Sequence, residues 1–115
     1  DEDIVAGMRR EIREEAQIDC PELQLRGTIS WPGFGKHGED WFGFVFLITR
    51  YCGMPLEGNH EGTLAWVERA HLMELPMWEG DRQFLPLVFD GDPRAFHGVM
   101  PYRDGRMQSW NLTRL

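Results

Sequence analysis

Arg10-Glu-Ile-Arg-Glu-Glu15 is the stretch on which the fold is read. At 3.6 residues per turn, Glu11, Glu14 and Glu15 stand at i, i+3 and i+4, so they emerge on one helical face within a turn of each other. Their charges repel unless a cation intervenes, and carboxylate oxygens are hard ligands suited to Mg2+ or Mn2+. An ordinary solvated acidic face has the same spacing, since like charges there cost only about 0.2–0.5 kcal/mol in water. Upstream, Ile4, Met8 and Ile12 recur every four residues with Val5 and Ala16 beside them. That apolar stripe predicts an amphipathic helix packed on a sheet, ending before Pro21.

Composition narrows the class. The chain has 115 residues, 42% hydrophobic and 12% aromatic, enough for the core of one compact domain over residues 1–115. A net charge of -7 argues against binding a nucleic-acid polymer, which needs clustered Lys and Arg. Cys20 and Cys52 show neither a C-x-x-C pattern nor zinc spacing and are expected as reduced, buried thiols. The longest apolar run, Trp41 to Ile48, is far short of the ~20 residues that span a bilayer. A soluble cytoplasmic protein without a membrane partner is expected.

Further along, Leu23, Leu25, Gly27 and Ile29 alternate with Gln24, Arg26, Thr28 and Ser30, which predicts a strand with one face buried. Trp31 to Gly38 reads as a mobile glycine-rich loop. Trp41 to Tyr51 is aromatic and β-branched throughout, which predicts a central strand covered on both faces. Gly53 to Gly58 is a turn, Thr63 to Glu68 a further strand, and Ala70 to Leu75 a short helix stopped by Pro76. Asp81 to Phe89 predicts a second amphipathic helix, with Asp81 as cap and Phe84, Leu85, Leu87 and Val88 inward. Pro86 there implies a later start or a kink. The tail reads as a hairpin, Ala95–Tyr102 and Met107–Leu112, around an Asp104-Gly105 turn.

Glu2, Arg10-Glu11, the aliphatic Ile12, Glu14-Glu15 and Ile18 fall at the spacing that resembles the signature of the Nudix hydrolases, G-x5-E-x7-R-E-U-x-E-E-x-G-U, with U aliphatic. The signature's first glycine would precede Asp1, and Gln17 stands at its second, which implies a different exit from the helix. Gly33-Phe34, Glu39 to Phe46, Glu61 to Val67, Met77-Trp-Glu-Gly-Asp81 and Phe96-His-Gly98 look similar, in order and spacing, to the MutT-type 8-oxo-dGTP diphosphatases. The resemblance implies an α/β/α sandwich with a mixed central sheet, here expected to lack its N-terminal strands.

The resemblance also implies a chemistry. Glu11, Glu14 and Glu15, with Glu61 from outside the helix, would hold Mg2+ or Mn2+. Glu14 and Glu61 are the candidates to act on water, Arg10 the ion-pairing residue that holds a glutamate, and Glu2 a support. His60 stays open as an acid–base group. Trp78 would stack a purine, with Glu79 and Asp81 at its edge and Phe34 or Trp41 lining the pocket. Gly80 replaces the first of the family's adjacent acids, which weakens the case for strict 8-oxopurine choice.

The implied reaction is metal-dependent hydrolysis of a nucleoside triphosphate, such as 8-oxo-dGTP, to a monophosphate and pyrophosphate. Other Nudix substrates (ordinary NTPs, dinucleoside polyphosphates, ADP-ribose), a non-catalytic nucleotide- or protein-binding module, and an acidic domain docking a basic partner stay open. An uncovered sheet edge would also invite pairing with a second copy.

Overall fold

The computed structural model describes residues 3–54, 58–59, 62–63 and 67–115, with backbone alone at 20, 21, 58, 59, 62 and 63. The chain divides into two compact units, Asp1–Leu23 with Ile48–Leu72, and Gln24–Leu47 with Met73–Leu115.

In the first unit, helix α1 (Ile4–Ala16) begins where the Asp3 carboxylate accepts the N–H of Ala6 at 2.8 Å, satisfying one of the donors a helix start leaves open. It ends at Gln17, whose φ of 59° and ψ of 37° are left-handed and whose N–H bonds the Arg13 carbonyl. The expected change of exit does not occur: glutamine adopts the conformation for which glycine is usually chosen. The predicted apolar stripe is less covered than its spacing suggested. No described residue of α1 is buried, and Ile4 and Val5 are exposed. Beside the helix lies β3 (Gly58–Asn59), paired antiparallel with β4 (Gly62–Thr63). Of the strand expected over Thr63 to Glu68, residues 64–66 lie outside the described set, while Val67 and Glu68 have no regular structure. The short helix is a 3-10 helix, Arg69–Glu74. Cys52 is exposed at a strand end rather than buried, and the Cys20 side chain lies outside the described residues.

Four strands form a mixed sheet in the order Trp41–Cys52 (β2), Asp19–Trp31 (β1), Phe96–Val99 (β5) and Asn111–Arg114 (β8). Strand β1 (Asp19–Trp31) runs parallel to β5 (Phe96–Val99), with Gly27 opposite Phe96 and Ser30 opposite Val99, and β5 is antiparallel to β8 (Asn111–Arg114). Inside this pair a smaller hairpin, β6 (Tyr102–Arg103) and β7 (Arg106–Met107), turns through Asp104 and Gly105 at φ 50° and 77°. Two successive positive φ values are what a tight hairpin turn requires, and Asp-Gly supplies them. Gly27 has a packing reason as well: a Cβ there would lie 2.6 Å from the Phe96 ring. Ile29, Phe96 and Met100 are fully buried together, with Tyr102 at 7% exposure beside them.

Three expectations change here. β2 (Trp41–Cys52) is an edge strand among those described, and Trp41 and Phe42 are more than half exposed. An unbroken apolar run shows that a strand is suited to burial, not that both faces find a cover. In β1 the buried positions include Arg26 from the polar register, whereas Leu25 is exposed. Arg26 is accommodated because its guanidinium bonds the carbonyls of Leu87 and Val88 and the Asp90 carboxylate. The loop after β1 is tied down by hydrogen bonds: Gly33 N–H to Asp40, Gly35 N–H to Glu39, and Gly38 N–H to Gly35.

Helix α2 (Asp81–Val88) starts at Gly80 and carries Pro86 inside it. Asp81 is its first residue rather than its cap, so its carboxylate meets the positive end of the helix without a capping bond. Proline is tolerated near the C-terminus because only one intrahelical bond is lost, and the carbonyls beyond it are those Arg26 satisfies.

Candidate functional site

The helical spacing of α1 places Glu11, Glu14 and Glu15 as exposed carboxylates. Arg10 binds two of them, donating from Nη1 to Glu14 at 3.1 Å and standing 3.9 Å from Glu11. Pairing at i, i+4 relieves the like-charge crowding that the spacing creates. A neighbouring pair, Arg13 with Asp19 at 2.8 Å, ties the helix to the start of β1. The donor set suits a hard divalent cation in kind: all are carboxylates on long side chains within reach of solvent. In position, no three His, Cys, Asp or Glu among the described residues converge on a common point. Glu2, His60 and Glu61 lie outside the described residues.

The second unit contributes a different surface. An open cleft of about 460 Å³ is lined by Pro76, Met77, Trp78, Glu79, Tyr102 and Gly105. Trp78 offers an exposed indole, and Glu79 is exposed beside it. Asp81 is half-buried and does not line the cleft. Phe34 stands behind the lining residues, with its ring 5.7 Å from Trp78 and 4.8 Å from Tyr102, both edge-on. Trp41 meets the same ring at 5.6 Å. Such edge-to-face contacts help to hold the exposed indole in place.

Tyr102 was not singled out by sequence reasoning. Its register brings it here: its N–H bonds the Pro32 carbonyl at 2.7 Å, continuing the alignment in which Met100 bonds Ser30 at 2.8 Å. Burial holds the Tyr102 hydroxyl above its usual pKa, and the nearby Asp81 and Glu79 carboxylates act in the same sense against a hydrogen bond from the Gly80 N–H. The loop glycine is buried under this group, and a Cβ on it would collide with Met100. A second acid at position 80 would therefore displace the core, which explains glycine at this place in the loop.

A model of the NUDIX domain matches residues 1–88. The chain belongs to the Nudix family. It is similar to the uncharacterized Nudix hydrolase YvcI of Bacillus subtilis, 31% identical over 97 residues, which cover 81% of this chain and 60% of that protein. The chain thus spans about three-fifths of that relative's length. It is also similar to the crystal structure of the mutator MutT protein from Bacillus halodurans, at a TM-score of 0.83 and 29% identity, covering 96% of this chain and 74% of that one. The mixed sheet with its helices is the Nudix fold of that MutT neighbour. No helix among the described residues of this Nudix chain is long and apolar enough to cross a membrane.

Proposed function

We propose that this Nudix protein hydrolyses a nucleoside triphosphate, an oxidised purine such as 8-oxo-dGTP being the favoured substrate, to the monophosphate and pyrophosphate. The observation that carries the reading is the α1 face on which Arg10 holds Glu14 at 3.1 Å beside Glu11 and Glu15, the signature residues of the family. Nudix hydrolases generally use a divalent metal. Here Mg2+ would be held by Glu11, Glu14, Glu15 and Glu61, neutralising phosphate charge and acidifying water. Arg10 orients Glu14, and Glu14 or Glu61 takes the proton of the attacking water as one P–O–P linkage breaks. Trp78 stacks the base, with Glu79 on its edge and Phe34 bracing the indole.

The MutT neighbour supports this substrate class, and the aromatic cleft with its carboxylate supports a purine. An acidic chain of this kind acts on the small molecule in the cytoplasm rather than on a nucleic-acid polymer, and self-association into a homodimer is part of the same reading. The test is pyrophosphate release from a panel of normal and oxidised nucleotides. Release should vanish with EDTA, return with Mg2+, and be absent in Glu15→Gln with the fold intact. A Glu15→Gln protein as active as the parent would refute the assignment. An acidic docking domain would instead show salt-sensitive binding of a basic partner with no need for Mg2+.

A further inference from the structure

Arg82, the second residue of α2, is exposed, yet its guanidinium is bound to main chain behind it in sequence. Nη1 donates to the Met73 carbonyl at 2.6 Å and Nη2 to the Leu75 carbonyl at 3.1 Å. Met73 lies in the last turn of the 3-10 helix, where carbonyls lack a partner further along the helix, and Leu75 follows its end. Trp78 falls between Leu75 and Arg82, so the guanidinium closes a short loop around the segment that carries the indole. We propose that Arg82 is a positioning residue: its two-pronged tie fixes the wall of the cleft formed by residues 76–78, and with it the plane on which a ligand's ring stacks. The proposal rests on the reading that this cleft holds the base.

The brace has a firm footing. Helix α2 is held on the core of its unit by Phe84 and Leu87, which pack against the cluster of Ile29, Phe96, Met100 and Tyr102. On the C-terminal side of Trp78 the main chain is fixed by its own bonds: the Trp78 carbonyl accepts the Asp81 N–H and the Gly80 carbonyl the Gln83 N–H, each at 3.0 Å. On the N-terminal side residues 75–78 belong to no helix or strand, and the ties come from Arg82. The indole is 58% exposed, so burial does little to order it, and beyond the edge-on Phe34 ring its place depends on where the main chain holds its Cα. A planar guanidinium addresses two separate acceptors at once in a fixed geometry, which a single ammonium on a flexible stem does not. A surface ordered before its ligand arrives avoids the entropy of ordering it on binding.

The test reads the brace and the binding separately, without metal or turnover, so its failure is distinct from that of the cleft reading. Guanosine monophosphate is titrated into the parent, Arg82→Met and Arg82→Lys, followed by the NMR signals of the tryptophan indole N–H groups, and amide hydrogen exchange is measured on the same proteins. In Arg82→Met the amides of residues 77–79 should exchange faster while those of Ile29 and Phe96 keep the parent's rates. The nucleotide should bind about three- to tenfold more weakly, the cost of ordering one large side chain on binding. Arg82→Lys keeps the charge and loses the fork, and it should weaken binding in the same way. A lysine variant that binds as the parent does would assign the effect to charge and overturn the proposal, as would loosened amides with unchanged affinity or unchanged amides with weakened affinity. Faster exchange that extends equally to Ile29 and Phe96 would mark a purely structural role, which also overturns it. If Arg82→Met does not fold, Arg82→Lys carries both readouts with the same expectations. A parent that binds no nucleotide overturns the cleft reading, and this proposal with it, whatever the amides show.

Discussion

Gly80 lies directly beneath the hydroxyl of Tyr102, with 2.7 Å between that oxygen and the place a Cβ would take. The same Cβ would run into Met100, which is fully buried, so this loop position has no room for a side chain although its backbone is ordinary right-handed helix. Gly80→Ala should destabilise by about 1–3 kcal/mol, the usual range for overpacking a core. Thermal unfolding would show it. In a Met100→Ala background the added loss should shrink, because the colliding sulfur is gone; strictly additive losses would contradict the packing account.

Arg26 is 2% exposed and closes the C-terminus of α2 through the carbonyls of Leu87 and Val88. Replacing it with methionine keeps the bulk but leaves those two carbonyls without its guanidinium, while Asp90 keeps the Asp92 N–H and Arg114. A loss of roughly 3 kcal/mol is expected in denaturant unfolding, since a buried charge-assisted network costs most when only one side is removed. A change below about 0.5 kcal/mol would place Arg26 among ordinary surface residues.

Acid should act through the carboxylates beside that arginine. The Asp92 pKa is depressed, first by the Arg94 guanidinium that donates to it, and the Asp90 pKa is depressed, first by the Asp92 backbone N–H and then by Arg114. A group whose folded pKa lies below its unfolded value of about 3.9 contributes stability above that pH and loses it as pH falls through the folded value. Unfolding midpoints should thus hold steady from neutrality to about pH 4 and then decline. Asp92→Asn should flatten that decline, and an unchanged acid limb in the variant would assign the effect elsewhere.

Gln17 takes a φ of 59° at the end of α1. Left-handed backbone costs a residue with a Cβ about 1–2 kcal/mol, part of which glycine gives back through the entropy of its unfolded chain. Gln17→Gly should raise stability by up to about 1 kcal/mol, read as a higher midpoint in urea. A fall in the midpoint would show that the glutamine side chain contributes more than its backbone costs.

Arg10 and Glu14 are both exposed, so their 3.1 Å pair is worth less than about 1 kcal/mol to folding. If Arg10 orients a glutamate for phosphate chemistry, Arg10→Ala should leave the melting temperature nearly unchanged and lower kcat by at least about tenfold, a loss of roughly 1.4 kcal/mol in the transition state. Unaltered kcat would remove Arg10 from the mechanism.

Much of this molecule was legible along the chain, because local rules act over a few residues. The helix α1, the carboxylates that its turn places on one face, the Asp104-Gly105 turn and the strands β1 and β2 follow from spacing and turn chemistry, although β1 begins at Asp19 rather than at Leu23. Trp78 and Glu79, named through the resemblance, both line one cleft. What only the tertiary structure decided is which faces are covered. Arg26 finds its acceptors 61 to 64 residues away, so its burial could not be inferred from an alternating pattern in which it occupies the polar side. Tyr102 reaches the cleft through its bond to Pro32, and β2 lies at the sheet edge despite its apolar run. Periodicity states which side chains can share a face. Whether another part of the chain comes to cover that face depends on contacts distant in sequence, and those are set only when the whole domain packs.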